Sequence, residues 1–532
     1  MAHRSRGLIG QASVMFRSKK RSLACSAEAR EQVWPDQGSA LPEIEDLARA
    51  LGVTDPQESM LRISEDLERS TALFRNSPDF AIPEIRFSQI EDGRLPFFAT
   101  RQINARGVVV VRGVVPADTA LRWRDSLLEY LETNGLGDGA PGVRDVFWSQ
   151  AQAQARENLG VRQVLSALNR LWKPDAESPV DLTKTLSFCD RAFVGHPTCS
   201  SLRGQESPVM AGGIGGSQRW LSPHHRQAYG DIFEGRWEDW DPFKAGPRMR
   251  AAENALFSCG GGESATSPGS ANRSVEGGGD GGAGGREGGT PQPFRPFQGF
   301  LSFGRWGEVG NVHVVPLMRA ATAFTLLRPF MPDALEAHAA ERDWLCGAGG
   351  GAELVLSPRW HQPIIDALVR LPPLSPGDAV FYHTDIIHCD ASVTGNPFQD
   401  ENADDGAAFS AGAAGGRGDD DGIGQLHSAS FAGVQLSSLP ICGANSRYVK
   451  AQREAFTAGV RPPAFTPVAA VAAGGGAAEG DVTDEASFSG RALREELTRG
   501  GRRAMGMGRY TKEHYNAALD EHHDLLDIPY SW

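Results

Sequence analysis

The sequence lacks most of the features that assign a chain to a common class. Its 532 residues contain seven cysteines, and no two of them form a Cys-x-x-Cys pair, so neither a zinc site of that kind nor a disulfide framework is indicated. No apolar run approaches the roughly 20 residues that a membrane span requires. No glycine-rich turn between a strand and a helix indicates a dinucleotide site or a P-loop. Free thiols predict a reducing compartment, and we expect a soluble protein without a membrane partner.

Basic residues are also too few for one class of partner. Lysine and arginine total 53 against 66 acidic residues, which gives a net charge of −13. General nucleic-acid surfaces depend on dense positive charge. We therefore expect no nucleic-acid partner and an acidic, enzyme-like intracellular protein.

Glycine and proline are abundant, with 63 and 33 residues. Much of this excess lies in three stretches, Cys259–Pro293, Pro397–Gly424 and Pro463–Gly480. Such stretches contain too few large apolar residues to repay the entropy of ordering, so they are predicted to be disordered insertions. The remaining roughly 400 residues suffice for one large domain.

The N-terminus differs in charge from the rest of the chain. It is rich in arginine, lysine and serine and has no acidic residue before Glu28. That composition is typical of an organellar transit peptide, and a frayed basic terminus is the alternative. A cytoplasmic or an organellar location, mitochondrial or plastid, follows from these two interpretations.

Hydrophobic patterning predicts helices first and strands later. Leucines and isoleucines spaced in threes and fours predict helix over residues 41–75. The β-branched run Arg106–Val115 predicts a buried strand. Pro116 opens an amphipathic helix, and a second long helix is expected over Ser149–Leu171, with Gly160 as its only helix breaker.

After Pro174 the pattern changes to shorter, β-like segments. The candidate strands are Phe300–Phe303, Val312–Val315 and Ala379–His388, with helices at Leu317–Leu327 and Trp360–Leu371. Strands behind a helical layer predict an α+β fold, a double-stranded β-helix barrel of the jelly-roll, cupin-like type with flanking helices. A parallel α/β fold is the alternative.

The domain boundaries follow from these patterns. They are a targeting or disordered segment at 1–30, a single domain at 31–465 and a low-complexity linker and tail at 466–532. Within the domain we expect a helical layer at about 41–95 and a barrel region at about 96–465, with insertions at about 259–293 and about 390–430.

The segment Pro376–Cys389 carries the densest set of reactive side chains. A Pro-Gly-Asp turn precedes an apolar strand, and His383, Asp385 and His388 follow within six positions. Two imidazoles and one carboxylate suit a non-haem Fe(II) centre. A metal-free interpretation is also open, because His383 and Asp385 share a strand face and can hydrogen bond to each other or to the backbone.

A Pro-Gly-Asp turn with a histidine ten positions after the aspartate resembles the strand that supplies the distal iron ligand in Fe(II)- and 2-oxoglutarate-dependent oxygenases, with His388 in that place. The chain resembles more specifically the proteins with the domain of unknown function numbered 1479, within the clavaminate synthase-like superfamily. The matching segments are Arg106–Pro116, Phe147–Arg156, Trp237–Phe243, Phe294–Phe300, Ala320–Phe330, Leu439–Cys442 and Gln452–Pro463. The resemblance implies Fe(II) and 2-oxoglutarate as cofactors and hydroxylation of a small organic substrate.

One motif of that family is changed in this chain. The family has His-x-Asp, then Gly-Gly-Ser and Arg-Trp, and aligning on Arg219-Trp220 puts Ala211 and Gly213 at the two ligand positions. The chain is then a catalytically inactive jelly-roll that binds a ligand or partner, or it recruits other ligands, or the sequence is misassembled here. The replacement ligands are His224 and His225, or His383 and Asp385 beside His388.

Three further residues are candidates for substrate binding. Arg295 and Gln298 lie in the segment Phe294–Phe300, and Arg219 lies in the changed motif. An arginine at a strand end more commonly pairs with a surface carboxylate, which is the alternative for Arg295.

Overall fold

The computed structural model describes residues 44–136, 142–194, 209–211, 226–259, 293–305, 312–341, 346, 354–390, 432–465, 485 and 497–507. Its α-helices are α1 Ile44–Leu51, α2 Pro56–Asn76, α3 Phe97–Arg106, α4 Ala117–Thr133, α5 Gln150–Glu157, α6 Leu159–Asn169, α7 Gly230–Phe233, α8 Ala245–Cys259, α9 Met318–Leu327, α10 Pro332–Glu341, α11 Pro358–Asp366, α12 Gly443–Ala458 and α13 Arg499–Ala504.

The strands among these residues are short. They are β1 Glu84–Arg86, β2 Val108–Arg112, β3 Gly142–Arg144, β4 Asp181–Thr185, β5 Ala192–Val194, β6 Val209–Ala211, β7 Phe297–Ser302, β8 Val312–Val314, β9 Leu354–Leu356, β10 Val369–Arg370, β11 Ala379–His383, β12 His388–Asp390, β13 Ala432–Ser437 and β14 Pro440–Ile441.

Seven strands form a central mixed sheet in the order β1-β2-β11-β7-β13-β5-β3. Only β1 and β2 pair in parallel, and the other neighbours are antiparallel. The valines of β2, Val108 to Val111, are fully buried, as expected for a strand covered on both faces. The predicted buried strand within Arg106–Val115 is therefore confirmed, but it spans only Val108–Arg112, because Arg106 belongs to α3.

A smaller sheet has the order β10-β8-β12, and β6 pairs with β9. Strand β6 also lies against β12. The predicted single strand Ala379–His388 is wrong, because β11 ends at His383 and β12 begins at His388 in the other sheet. The backbone N–H of Ile386 donates to the His383 carbonyl at 2.9 Å, and this turn moves the chain from one sheet to the other.

Close packing fixes that turn. Gly107 ends α3 with φ 74°, and its carbonyl accepts from the His383 N–H at 2.7 Å. A Cβ at Gly107 would lie 2.6 Å from Ile386 Cδ1. Both the positive φ and this close contact require glycine. Gly107 at the end of α3 therefore contacts both His383 and Ile386, the residues that begin and end the turn.

Two predicted helices are interrupted. The helix over 41–75 breaks between α1 and α2, where Gly52 and Asp55 have positive φ. The helix over Ser149–Leu171 is two helices that meet at Asn158, whose side chain caps α6 by accepting from the Val161 N–H. The break therefore lies at an N-cap residue and not at Gly160, which packs inside α6 against the Val114 carbonyl.

The α+β class is confirmed: a central mixed sheet is flanked by helices. Among the described residues the strands do not join into one closed barrel. The low-complexity stretches lie outside the described residues apart from their edges. Within the predicted tail, Leu497 and Met505 pack against Phe147 and Trp148. No helix in the described part of the chain combines the length and apolar character needed to cross a bilayer.

Candidate functional site

His383 lies in the core of the fold with both ring nitrogens engaged. Its Nδ1 accepts from the Asp385 backbone N–H at 3.1 Å, and its Nε2 lies 3.2 Å from the Pro242 carbonyl. The ring stacks on Trp172 with centroids 4.8 Å apart and planes 6° apart. Burial lowers the pKa of His383 to about 4, although Asp385 acts in the opposite direction. The ring is therefore a neutral Nε2–H tautomer.

Asp385 is the acceptor of a buried polar network. Its carboxylate takes two hydrogen bonds from the Arg248 guanidinium, one of them at 3.0 Å, and a third from the Tyr229 hydroxyl at 3.1 Å. The side chains of Arg248 and Asp385 are 7% and 1% exposed. Burial opposes the charge on Arg248, yet Asp385 raises its pKa above the ordinary value. Bidentate pairing of this kind satisfies both groups without a metal.

His388 lies in a different environment. It is partly exposed, and its ring lies 4.3 Å from the Tyr382 ring, centroid to centroid. Its Nδ1 is 2.9 Å from the Ile386 carbonyl, a contact that favours Nδ1–H and leaves the lone pair on Nε2. Desolvation of the ring lowers the pKa of His388, although part of the residue is exposed. In this tautomer a histidine can bind a metal through Nε2.

The two histidines lie on opposite sides of the central sheet. Tyr382 and His383 are consecutive in β11, so their side chains point to opposite sides. Tyr382 contacts His388, whereas His383 contacts Trp172 on the other side. The structure therefore separates His388 from His383 and Asp385. A ligand role for His383 and Asp385 beside His388 would require the buried network to break.

The strand that corresponds to the family's His-x-Asp motif lies next to His388. Strand β6 ends at Ala211, and β6 lies against β12, which begins with His388. Alanine supplies no donor atom. Gly213, His224 and His225 lie outside the described residues. Within the described residues, no three histidine, cysteine or acidic side chains cluster in a way that could hold a metal ion.

The Pro-Gly-Asp turn has a structural role. Asp378 accepts hydrogen bonds from the backbone N–H groups of Gly113 and Ser375 and from Arg112, at 2.8 to 2.9 Å. Gly377 has φ 90°, which favours glycine. This turn fixes the start of β11 next to the end of β2.

The substrate candidates are placed differently from one another. Gln298 lies directly opposite Tyr382 on the neighbouring strand β7, and its amide is 3.4 Å from the Thr384 hydroxyl. Arg295 stacks over Phe188 at 4.5 Å and lies 3.9 Å from the carboxylate of Asp190. Arg219 lies outside the described residues.

Sequence reasoning missed the partners that bind Asp385. Arg248 and Tyr229 come from α8 and the residue before α7, 137 and 156 positions away in sequence. Neither lies in a motif that spacing would identify.

The fold and site define an α+β protein with a mixed sheet, a helical layer and His388 beside Tyr382, in a tautomer that leaves Nε2 available as an acceptor. The sequence pattern of the Gig2-like family matches residues 43–507. The chain belongs to the Gig2-like family.

Relatives agree with this assignment. The uncharacterized protein YbiU of Escherichia coli K12 is 28% identical over 379 residues, 67% of this chain and 80% of YbiU. A crystal structure of a putative oxidoreductase from Salmonella typhimurium LT2 aligns with a TM-score of 0.63 at 24% identity, covering 89% of this chain and all of that one. GlcNAc Inducible Gene 2 of Candida albicans, a DUF1479 protein, aligns with a TM-score of 0.63 at 17% identity over 92% of this chain and 95% of its own. These structural likenesses establish the fold.

Proposed function

We propose that this chain is a small-molecule binding protein on a jelly-roll scaffold of the oxygenase type, and that it does not hydroxylate through Fe(II) and 2-oxoglutarate. The observation that carries this proposal is the placement of Ala211. The family resemblance puts the first iron ligand at this position, on strand β6 beside β12, and alanine has no metal-binding atom in its side chain.

Other described residues do not replace that ligand. His383 and Asp385 are the imidazole and carboxylate that the sequence offers just before His388, but their polar atoms are held by Pro242, Tyr229 and Arg248. Freeing Asp385 would leave Arg248 buried and unpaired, at a cost of about 3–5 kcal/mol. A facial triad needs three side chains that converge on one point, and one imidazole does not retain iron.

The second candidate is the hydroxylase itself. The tautomer of His388 favours it, because Nε2 carries a lone pair on the side chain that the resemblance assigns as the distal ligand. His224 and His225 would then complete the site. In that case the bound iron would supply dioxygen chemistry and 2-oxoglutarate would supply the electrons.

Anaerobic titration with Fe(II) and 2-oxoglutarate, followed by the visible charge-transfer band, separates the two candidates. We expect no stoichiometric band for the unchanged chain and a band for the doubly substituted variant Ala211→His/Gly213→Asp. Substituting His388→Ala in that variant should remove the band. His313→Ala is the matched control. His313 pairs across the small sheet with Cys389, the residue after His388, so its side chain points to the face opposite that of His388.

A stoichiometric band from the unchanged chain that His388→Ala abolishes would reject the proposal and support the hydroxylase. A band that survives His388→Ala but is lost on His313→Ala would place the metal elsewhere and also reject it.

A further inference from the structure

The helices that flank the central sheet form a cleft, which we name the arginine cleft. Its lining comes from residues 119–126 of α4, from α5, from residues 158–162 at the start of α6 and from Thr498, and its volume is about 730 Å³. Pockets that hold small molecules span roughly 300–1,000 Å³. Among the described residues, none from the central sheet or from β12 lines the cleft, so it is separate from the surroundings of His388.

Arg162 brings a positive charge into this cleft that no acid in the described part of the chain pairs with. Its side chain is only partly exposed, and its Nε is buried without a hydrogen-bond partner. A guanidinium presents several N–H donors in a fixed planar arrangement that matches a carboxylate or a phosphate. Arg162 is therefore the group in the cleft that can hold an anion.

The other two charged side chains in the lining are Arg122 and Glu157. Arg122 pairs with Asp118 at 2.9 Å, but both side chains are mostly exposed, and exposed pairs of this kind contribute little. Arg122 can therefore turn to a ligand at small cost. Glu157 accepts from the backbone N–H and the hydroxyl of Thr498, at 2.8 and 2.7 Å, and these donors offset its charge. The lining has two cations against one anion, which favours an anionic ligand over a neutral one of the same shape.

The cleft also offers apolar surface. Leu159, the first residue of α6, lines it with 69% of its surface exposed, so its side chain can pack against the body of an organic ligand. Trp123 lines it as well, but its ring is mostly buried and its indole N–H donates to Gln154 at 2.8 Å. That N–H therefore lies at the cleft and can report on a ligand there without binding it.

We propose that the arginine cleft binds a small organic anion. Arg162 pairs with the carboxylate or phosphate group of this ligand, Arg122 adds a second positive charge, and Leu159 contacts the apolar body. The site goes beyond the proposed function, because it requires neither His388 nor a metal.

Three probes of one shape test the ligand class on the full chain: phenylacetate, phenyl phosphate and the neutral phenylacetamide. The NMR shift of the Trp123 indole N–H follows binding, and the signal is assigned by its loss in Trp123→Phe. We expect a saturable shift at millimolar concentration for at least one anion and binding at least about tenfold weaker for phenylacetamide. The tighter of the two anions shows whether the natural ligand carries a carboxylate or a phosphate.

Substitutions of single arginines locate the anion. Arg162→Gln should weaken binding about tenfold or more, and Arg162→Lys should restore part of it, because lysine keeps the charge but not the planar set of donors. Arg122→Gln should weaken binding about two- to threefold. Arg170→Gln is the matched control and should change nothing, since Arg170 follows α6, is exposed and does not line the cleft.

The proposal is overturned if neither anion gives a saturable shift, or if phenylacetamide binds as well as the anions do. It is also overturned if Arg170→Gln weakens binding as much as Arg162→Gln, because the anions would then pair adventitiously with surface arginines. These results are independent of the iron titration. Iron binding by the unchanged chain would reject the proposed function and leave the arginine cleft standing, whereas absence of anion binding would reject the cleft site alone.

Discussion

The two faces of the central sheet use polar side chains in opposite ways. On one face, His383 and Asp385 are fully buried, and their polar atoms are bonded to partners from the protein. On the other, Gln298 and Gln435 remain partly exposed with few partners. The densest group of reactive residues in the sequence therefore forms part of the core, whereas Gln298 and Gln435 lie in segments that carry no motif.

Removing one partner of the buried ion pair tests the first half of this comparison and has the largest expected effect. Arg248→Met leaves the Asp385 carboxylate buried without a counter-charge, so we expect the free energy of unfolding to fall by about 3–5 kcal/mol. The double variant Arg248→Met/Asp385→Leu should recover much of that loss, because neither charge remains. Urea unfolding at neutral pH measures both.

Arg328 provides the control. It pairs with Asp333 in a similar two-bond geometry, but the Asp333 side chain is 54% exposed. Arg328→Met leaves a carboxylate that water can solvate, so its loss should be smaller than that of Arg248→Met. Equal losses of unfolding free energy would show that the buried Asp385 network stabilises the fold no more than a half-exposed ion pair does.

His383 gives the second test, through its dependence on pH. At neutral pH, His383→Phe keeps an aromatic ring against Trp172 but deprives the Asp385 N–H and the Pro242 carbonyl of their partner. The expected loss is about 1–3 kcal/mol.

Lowering the pH should reduce the difference in stability between the unchanged chain and the His383→Phe variant. The folded-state pKa of His383 is about 4, below the ordinary 6.5, so the unfolded chain binds the proton more readily. Its contribution to stability is complete above the ordinary pKa and declines as the pH falls from 6.5 towards 4. Urea unfolding of both proteins across that range should show converging stabilities. Burial also lowers the pKa of His361, to about 3. Because His361 is present in both proteins, its titration does not change the difference in stability between them. A constant difference would show that His383 is not held neutral.

Local patterns predicted several helices and strands of this fold but fewer than half of its elements, and long-range contacts account for part of what they missed. The valine run of β2 and the helix after Pro116 follow from periodicity and from proline geometry. The division of 379–388 into β11 and β12 depends on Gly107 and on pairing with β8, which no local pattern encodes. For the site, the metal-free alternative for His383 and Asp385 follows from their spacing. Arg248 does not, because it lies 137 positions from Asp385.

The smallest effect on stability is expected at Glu485, a buried carboxylate with only one of its two oxygens hydrogen bonded among the described residues. Its Oε1 accepts from the N–H groups of Phe147 and Trp148 and from the Tyr130 hydroxyl, at 2.9 to 3.2 Å, whereas its buried Oε2 has no partner among the described residues. Burial raises the pKa of Glu485 against the opposing effects of these donors and of Arg156.

The sign for Glu485 is the reverse of that for His383. A raised folded-state pKa means that its contribution to stability is complete below the ordinary carboxyl pKa and is lost as the pH rises through the folded-state value. Glu485→Gln removes the charge, keeps an acceptor oxygen and should therefore strengthen docking of this residue at neutral pH by up to about 1 kcal/mol. Hydrogen exchange at the Phe147 and Trp148 amides measures this, with slower exchange expected in the variant at neutral pH and no difference near pH 4. Faster exchange in the variant at neutral pH would show that the ionised carboxylate binds these N–H groups better than the amide does. Glu485 would then act, like Asp385, as a charged acceptor that stabilises the fold.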